Sequence, residues 1–248
     1  MPVARIDTGS EVLTGEFDNG TVTVAQETYT LGEEATLLPP CQPQTVYCLG
    51  RNYPSYLEEN AEVIQSNLSH DAEFPDEVHF FLKGGTSVVG PGEPIPYPTF
   101  SDSLGYAGEL AAVIDQECKH VNATDVSDVV RGYTILNDLD AKDQTGITKM
   151  KVFDASAPLG PVIADVDPLS LEMRTTINGE VRQESRTSEM HRGPSQAIAE
   201  LSHRVTLQPG DVIAFGSPAN PGFLDPGDTV EVWYEGIGTL RNTVVSPS

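Results

Sequence analysis

Two apolar runs, each with a carboxylate at one end, place the strongest constraint on how this chain can fold. Glu109 precedes an apolar run at residues 110–114, and Asp138 follows another that begins at residue 133. Short runs of this composition predict buried β-strands. A carboxylate at the end of a buried strand is costly unless it is paired, hydrogen-bonded or bound to a cation. The pattern therefore predicts two acids that share a divalent cation or, as the alternative, two strand ends that face water.

The rest of the chain predicts a mainly β (α+β) fold with a few short helices. Most segments are β-branched runs separated by 22 Gly and 19 Pro residues. Apolar residues at helical spacing predict helices at 53–66, 124–130 and 194–204. Prolines make residues 38–43 a connector, because proline cannot feed a central ladder. We therefore expect a small N-terminal β-rich segment at residues 1–40, followed by the main domain at 41–248.

The charge balance is strongly acidic. The chain carries 37 Asp and Glu residues against 14 Lys and Arg residues, which gives a formal net charge of -23. The acids are dispersed, whereas an acidic protein with a basic partner usually concentrates them in one run. Such a surface repels itself in dilute salt and is better tolerated where ions screen it. We therefore expect a salt-adapted cytoplasm, such as that of a halophilic archaeon, and no nucleic-acid partner.

The sequence also argues against several cellular settings. It begins without the basic and apolar pattern of a signal peptide, and its apolar runs are shorter than the roughly 18 residues that a membrane helix needs. We expect a cytoplasmic protein without a membrane partner. The three cysteines lack C-x-x-C spacing, so they predict neither a zinc site nor a disulfide framework.

Between Tyr47 and Val244, a series of short motifs matches one enzyme family in order. The motifs are CLGRNY (48–53), FFLK (80–83), VGPG (89–92), ELAAVI (109–114), GYTILND (132–138), KVFD (151–154), APLGP (157–161), NGE (178–180), PGD (209–211), GSPA (216–219) and EGIG (235–238). On these motifs the chain resembles the fumarylacetoacetate hydrolase superfamily. The resemblance implies a mixed β-sandwich or β-roll with a few short helices, and a homodimer.

The resemblance also implies a metal site. In this family a Mg²⁺ or Mn²⁺ ion binds two oxygens of a pyruvoyl group and stabilises the enolate that forms when a bond breaks or a proton moves. It implies that Glu109 and Asp138 hold the ion. It implies that Lys151 contacts the substrate, and that Ser217 takes the place of a threonine that binds the substrate carboxylate.

Three more polar residues lie close to these motifs. Asp140 follows Asp138 by two positions and in a strand would face the same side, so it is expected to be a further metal ligand. Its alternative is a solvated loop acid. Lys142 stands where the family usually has arginine and is expected to bind the substrate. Lys83 is expected to be structural, either pairing with an acid or capping a strand.

Two positions depart from the family's pattern. The family reads Glu-x-Glu at the metal site, but the first position here is Ala107, so the ion loses one anionic ligand. The family lid reads Asn-Tyr-x-x-His-x-x-Glu, whose His and Glu move a proton. Here Tyr56 replaces the histidine while Glu59 is kept. Because a tyrosine is a poor base at neutral pH, proton transfer is assigned to Glu59 with Tyr56, and His70 is the alternative base.

These residues lead to two functional hypotheses. The first is a divalent-metal-dependent enzyme that acts on a small anionic 2-oxo acid, as an acylpyruvate-type hydrolase, isomerase, decarboxylase or dehydratase. The altered lid favours isomerisation or decarboxylation, which ask less of a general base than activating water for hydrolysis. The alternative is a catalytically silent member that binds a small acid or serves as a structural partner subunit.

Overall fold

The protein is built from three β-sheets that pack around a common hydrophobic core, with a few short helices between the strands. The computed structural model describes residues 1–68, 74–219 and 221–247, and within the first helix it describes side chains only as far as residue 61. This mainly β architecture confirms the predicted fold class. His70, the alternative base, lies outside the described residues.

The strands are short and are numbered in chain order. They are β1 (Val3–Asp7), β2 (Val12–Asp18), β3 (Thr21–Val24), β4 (Glu27–Thr30), β5 (Thr36–Leu37), β6 (Thr45–Leu49), β7 (Phe80–Gly84), β8 (Val88–Val89), β9 (Ile95–Pro96), β10 (Leu104–Gly105), β11 (Gly108–Ile114), β12 (Val130–Asn137), β13 (Asp140–Ala141), β14 (Ala157–Ala164), β15 (Glu172–Ile177), β16 (Glu180–Arg186), β17 (Val212–Ala214), β18 (Phe223–Leu224), β19 (Thr229–Tyr234) and β20 (Gly238–Val245).

Three α-helices connect these strands. They are α1 (Pro54–Leu68), α2 (Ile147–Lys151) and α3 (Pro194–Arg204). Proline opens both α1 and α3, where its missing N–H would have no partner in any case. The helices predicted at 53–66 and 194–204 are confirmed. At 124–130 the chain instead forms a 3₁₀ turn, Ala123–Asp128.

The large sheet has twelve strands and runs through the middle of the molecule. Its main path is β4-β3-β2-β1-β14-β12-β11-β17-β6-β7, while β5 pairs with β1 and β8 pairs with β14. A three-stranded sheet has the order β13-β10-β18, and a five-stranded sheet has the order β16-β15-β19-β20-β9. Within the described residues, no helix is both long and apolar enough to cross a membrane.

The N-terminal strands extend the large sheet. Strand β1 pairs with β14 through Val3 and Ile163. Strands β2 and β3 form the hairpin expected from its turn sequence, because Asn19 and Gly20 both adopt positive φ angles (43° and 86°). The proposed division at residue 40 therefore separates two parts of the chain that share one sheet.

Strand β11 lies in the middle of the large sheet with both faces covered. Leu110 and Ala112 pack into the main core on one face. Ala111 and Val113 pack into a second, smaller core on the other. Because successive side chains of a strand alternate between faces, Glu109 belongs to the face of the smaller core. The candidate site lies where that apolar face ends.

Candidate functional site

The pairing of β11 with β12 brings the two strand-end acids to one face of the sheet. Gly108 pairs with Asn137, and the N–H of Asp138 donates to the carbonyl of Ala107 at 2.8 Å. Ala107 therefore lies directly opposite Asp138, and Glu109 is its diagonal neighbour. Both acids are buried, with 3% of each residue exposed. The alternative of two solvated strand ends is wrong.

Two lysines contact the carboxylate of Asp138. The Lys151 ammonium donates to Asp138 Oδ2 at 2.5 Å. The ammonium of Lys83 lies 3.0 Å from Asp138 Oδ1. Burial disfavours the charged carboxylate, but the charge of Lys151, followed by that of Lys83, outweighs it and holds the pKa of Asp138 below its usual value. Asp138 is therefore ionised and neutralised at neutral pH.

Lys83 also ties three segments of the chain together. It lies on β7, 1% exposed, and donates to three backbone carbonyls, those of Leu139 (2.7 Å), Lys151 (2.9 Å) and Ser156 (2.9 Å). An ammonium has three N–H donors, and all three go to these carbonyls. Asp138 Oδ1 is therefore held by the charge of Lys83 at 3.0 Å, and within the described residues it has no well-aligned hydrogen bond.

Among the residues that the structure describes, Glu109 has no lysine partner of this kind. Its Oε2 accepts a hydrogen bond from the backbone N–H of Gly216 at 2.8 Å. Gly216 has a φ of +85°, and a side chain there would come within 3.2 Å of the carbonyl of Leu49 and the Cβ of Asn52. Burial, and secondly the charge of Asp138, raise the pKa of Glu109 well above its usual value. An added cation between the two acids would stabilise the ionised form.

Asp140 lies on the same side of the site but faces lysines. Its Oδ2 accepts from Lys151 at 3.0 Å and lies 2.8 Å from the ammonium of Lys142. Asp140 is 4% exposed, so the alternative of a solvated loop acid is wrong. Within the described residues, no three His, Cys, Asp or Glu side chains are grouped as a metal site. The proposed role of Asp140 as a metal ligand stays a prediction.

Two of the expected carboxylates nevertheless suit a divalent cation. Asp138 Oδ1 is buried and lacks a hydrogen bond, and the carboxyl of Glu109 lies close enough for the charge of Asp138 to raise its pKa. Mg²⁺ keeps several water ligands and is commonly bound through one or two carboxylates. Ala107 leaves the position opposite Asp138 without a ligand, so the residues fit a cation that water helps to coordinate.

The site combines three acids with three lysines. The acids are Glu109, Asp138 and Asp140, and the lysines are Lys83, Lys142 and Lys151, each of which contacts Asp138 or Asp140. We refer to these six residues as the acid–lysine cluster. Burial disfavours the ammonium of Lys151, but Asp138 and Asp140 outweigh it and raise its pKa. Lys151 therefore stays protonated and serves as a hydrogen-bond donor, since it has no free pair to act as a base.

Ser217 borders the cluster through the turn that contains Gly216. It is buried, and its Oγ accepts a hydrogen bond from Gln183 Nε2 at 2.9 Å. The same amide donates to the carbonyls of Pro218 (3.3 Å) and Ala219 (3.2 Å). Gln183 thus fixes the turn that presents the Gly216 N–H to Glu109. The expected role of Ser217 in holding a substrate carboxylate stays a prediction.

The two lid residues lie on α1. Tyr56 is half-buried and packs against the main core. Glu59 is exposed and lines a groove of about 590 Å³ together with Tyr106 and Gly222. Tyr106 directly precedes Ala107, so this groove borders the strand end that carries the acids. Asn52 anchors the start of α1, since its side-chain amide donates to the carbonyl of Phe215 at 2.9 Å.

Sequence reasoning gave too little weight to Lys83 and missed Gln183 and the Gly216 N–H. Lys83 was expected to be structural and pairs with an acid, as one of its two expected roles required. The sequence signal for a buried Lys83 is the alternation of side chains along β7. Lys83 pairs with Val46 and Phe81 pairs with Cys48, so Lys83 lies on the face of the sheet that carries the smaller core. The contacts of Gln183 join residues far apart in sequence, so no local pattern indicates them.

Comparisons with known proteins agree with this architecture. Residues 45–245 match the family described as fumarylacetoacetate (FAA) hydrolase, C-terminal. The fold is similar to that of 5-carboxymethyl-2-hydroxymuconate delta-isomerase from Mycobacterium smegmatis, with a TM-score of 0.88, 35% identity and full coverage of both chains.

Two other proteins add to this comparison. Oxaloacetate tautomerase Fahd2a, mitochondrial, from Rattus norvegicus is 33% identical over 225 residues, which cover 84% of this chain and 69% of that protein. Maleylpyruvate hydrolase from Sphingobium sp. SYK-6, solved in complex with manganese(II) ion and pyruvate, has a TM-score of 0.80 over the full length of both chains. It is 24% identical, so this last likeness concerns the fold alone.

Proposed function

Because this chain belongs to the fumarylacetoacetate hydrolase family, we propose that it catalyses keto–enol tautomerisation or a related isomerisation of a small 2-oxo acid, with help from a divalent cation. The observation that supports this most strongly is the buried pair of Glu109 and Asp138, in which Lys83 contacts one carboxylate oxygen of Asp138 and Lys151 contacts the other. The proteins that it resembles include an oxaloacetate tautomerase and a 5-carboxymethyl-2-hydroxymuconate delta-isomerase.

Glu109 and Asp138 are the residues that would hold a Mg²⁺ or Mn²⁺ ion. When bound, such an ion polarises the carboxylate and 2-oxo oxygens of a 2-oxo acid, which makes the hydrogens on C3 more acidic. Binding requires Glu109 to lose its proton, because only the carboxylate is a ligand. The raised pKa of Glu109 therefore makes the affinity for the cation increase with pH.

Lys151 is the residue we assign to the substrate. Two of its three N–H donors go to Asp138 and Asp140, and the ammonium lies 4.8 Å from the centroid of the Phe81 ring. Within the described residues no oxygen acceptor is found for the third donor. This donor can bind the 2-oxo oxygen. As a proton leaves C3, negative charge develops on that oxygen, and a buried ammonium stabilises it strongly. The enolate oxygen then takes a proton from water, and Glu59 returns the proton it removed from C3 to water, so the enol forms with no net gain or loss of protons.

Proton transfer at C3 is assigned to Glu59. A carboxylate on α1 takes the proton, and the groove that it lines with Tyr106 and Gly222 offers room for the remote end of the substrate. Tautomerisation needs a proton to move but no activated water. A lid in which Tyr56 replaces the usual histidine meets this requirement. The same lid disfavours acylpyruvate hydrolysis, which needs a base to activate water.

The second candidate function is a silent family member that binds a small acid. The observation that favours it is the pair of substitutions at Ala107 and Tyr56, which remove one metal ligand and one base together. Even without a cation, the third donor of Lys151 and the buried Ser217 offer hydrogen bonds to an anion.

The two functions are separated by measuring cation affinity and turnover in high salt. We expect calorimetry to detect Mg²⁺ or Mn²⁺ binding, and we expect oxaloacetate to interconvert between its enol and keto forms faster with enzyme than without. Lys151→Met should lower kcat/KM by about 10²- to 10³-fold, while Asp143→Asn, an exposed acid outside the cluster, should leave it unchanged. Oxalate binding without cation binding or turnover would support the silent member.

A further inference from the structure

The carboxylate of Asp140 occupies the space that a side chain at position 105 would need. Strands β10 and β13 place Gly105 directly opposite Asp140. A Cβ atom built on Gly105 would lie 2.0 Å from Asp140 Oδ1, which is closer than any real contact. The Cβ would also lie 2.8 Å from Cε of Lys142. Asp140 can hold its present position only because residue 105 is glycine.

This position lets Asp140 share the ammonium of Lys151 with Asp138. Lys151 donates to Oδ2 of both acids, at 2.5 Å for Asp138 and 3.0 Å for Asp140. A cation at Asp138 Oδ1 would draw the negative charge of this carboxylate away from Lys151, which holds Oδ2. Without a second acid, the buried ammonium of Lys151 would keep only this weakened partner, which is costly.

We propose that Asp140 is a positioning residue that keeps Lys151 in place when a divalent cation engages Asp138. It would compensate for Ala107 by holding the lysine, without itself ligating the ion. This inference rests on the function proposed above. It also gives a reason for the pairing of Asp140 with a glycine at position 105.

A double-mutant cycle tests this role. In the protein with Lys151 present, Asp140→Asn should weaken Mg²⁺ binding about tenfold, as expected for a residue that orients groups at a metal site. In a Lys151→Met background, the same change should have less than about a twofold effect. An equal loss in both backgrounds would mean that Asp140 acts on the cation directly, and it would overturn the proposal. No loss in either background would overturn it as well.

Two further variants strengthen the cycle. Gly105→Ala should reproduce the loss seen with Asp140→Asn, because a methyl group displaces the carboxylate. If Gly105→Ala fails to fold, the isosteric Asp140→Asn variant still decides the question. Asp143→Asn is the matched control, since it removes one negative charge from an exposed residue three positions away and should change the affinity by less than about twofold.

Oxalate binding without any cation separates this inference from the proposed function. Asp140→Asn should weaken oxalate binding about tenfold where Lys151 is present and hardly at all in Lys151→Met. If the protein binds no cation but this pattern holds, the proposed function fails while the positioning role stands. If oxalate affinity does not depend on Asp140, or the protein binds neither cation nor oxalate, the positioning role is overturned.

Discussion

The acid–lysine cluster and helix α1 are built in opposite ways. Five of the six cluster residues are buried, and each lysine contacts at least one acid. On α1, Glu58 and Glu59 are exposed and Tyr56 is half-buried. A substitution of a buried cluster residue disturbs charges that water does not screen, whereas a substitution of an exposed residue on α1 changes a side chain that is in contact with water. Because of this difference, a substitution on α1 should be tolerated more easily than one in the cluster.

The largest effect on stability is expected from Asp138→Ala. The substitution leaves Lys83 buried beside no carboxylate and removes the closest partner of Lys151. Breaking a buried ion pair from one side typically costs about 3–5 kcal/mol. Urea unfolding in high salt, followed by fluorescence of the one tryptophan, should show a loss of this size in the free energy of unfolding.

The matched control for this variant is Asp143→Ala. Asp143 is exposed and accepts a hydrogen bond from Ser101 Oγ at 2.6 Å, so its loss should lower the free energy of unfolding far less than Asp138→Ala does. Equal losses for the two variants would mean that the cluster and the surface do not differ in the way proposed.

The sequence predicted the scaffold better than it predicted the cluster. Burial and alternation are local patterns, so the strands that carry Glu109 and Asp138 could be placed from residues near them. The partners of Asp138 come from β7 and α2, which lie 55 and 13 residues away along the chain. These ion pairs depend on the order of the strands in the sheet. The periodicity of residues within one segment does not predict that order.

Asp140 shows the same limit at a single residue. Its spacing from Asp138 correctly suggested that both acids face one side. The sequence did not indicate that lysines already occupy its carboxylate, since that depends on α2 and on the absence of a side chain at Gly105. Whether an acid on one strand can bind a metal ion therefore depends on which side chains the neighbouring elements place against it.

The second largest effect is expected from Lys83→Met. The change keeps most of the side-chain volume but removes the donor shared by three buried carbonyls and the cation near Asp138. Leaving these groups without a partner should lower the free energy of unfolding by about 2–4 kcal/mol. Lys149→Met, at an exposed position of α2, is the control and should change it by less than about 0.5 kcal/mol. Similar values for both would contradict a structural role for Lys83.

A smaller, pH-dependent effect is expected at Glu109. Its pKa is raised in the folded protein, so the folded state holds this proton more tightly than the unfolded state does. Without metal, stability from this group is complete below the ordinary carboxyl pKa and is lost as pH rises towards the raised value. The loss is at most about 1.4 kcal/mol per pH unit for one proton.

Glu109→Gln isolates this contribution. The variant cannot titrate at this position, so its stability relative to the native chain should increase from about pH 4.5 upward. Unfolding curves in a chelating buffer across this range measure the difference, which also cancels the contribution of other acids such as Asp211. A difference that stays constant with pH would show that the Glu109 carboxyl titrates normally.

The smallest effect on stability is expected on the lid, from Tyr56→His. Tyr56 is half-buried against the core, so the loss of packing should cost only about 1 kcal/mol. The new imidazole would lie one helical turn from Glu59 and restore the usual proton-transfer pair, which is worth about 10²-fold or more in rate. We expect acylpyruvate hydrolysis, measured with Mg²⁺ in high salt, to increase in this variant and not in Tyr56→Phe. If neither variant gains activity, the missing base on the lid is not what limits acylpyruvate hydrolysis. The cause would then be the missing metal ligand at Ala107.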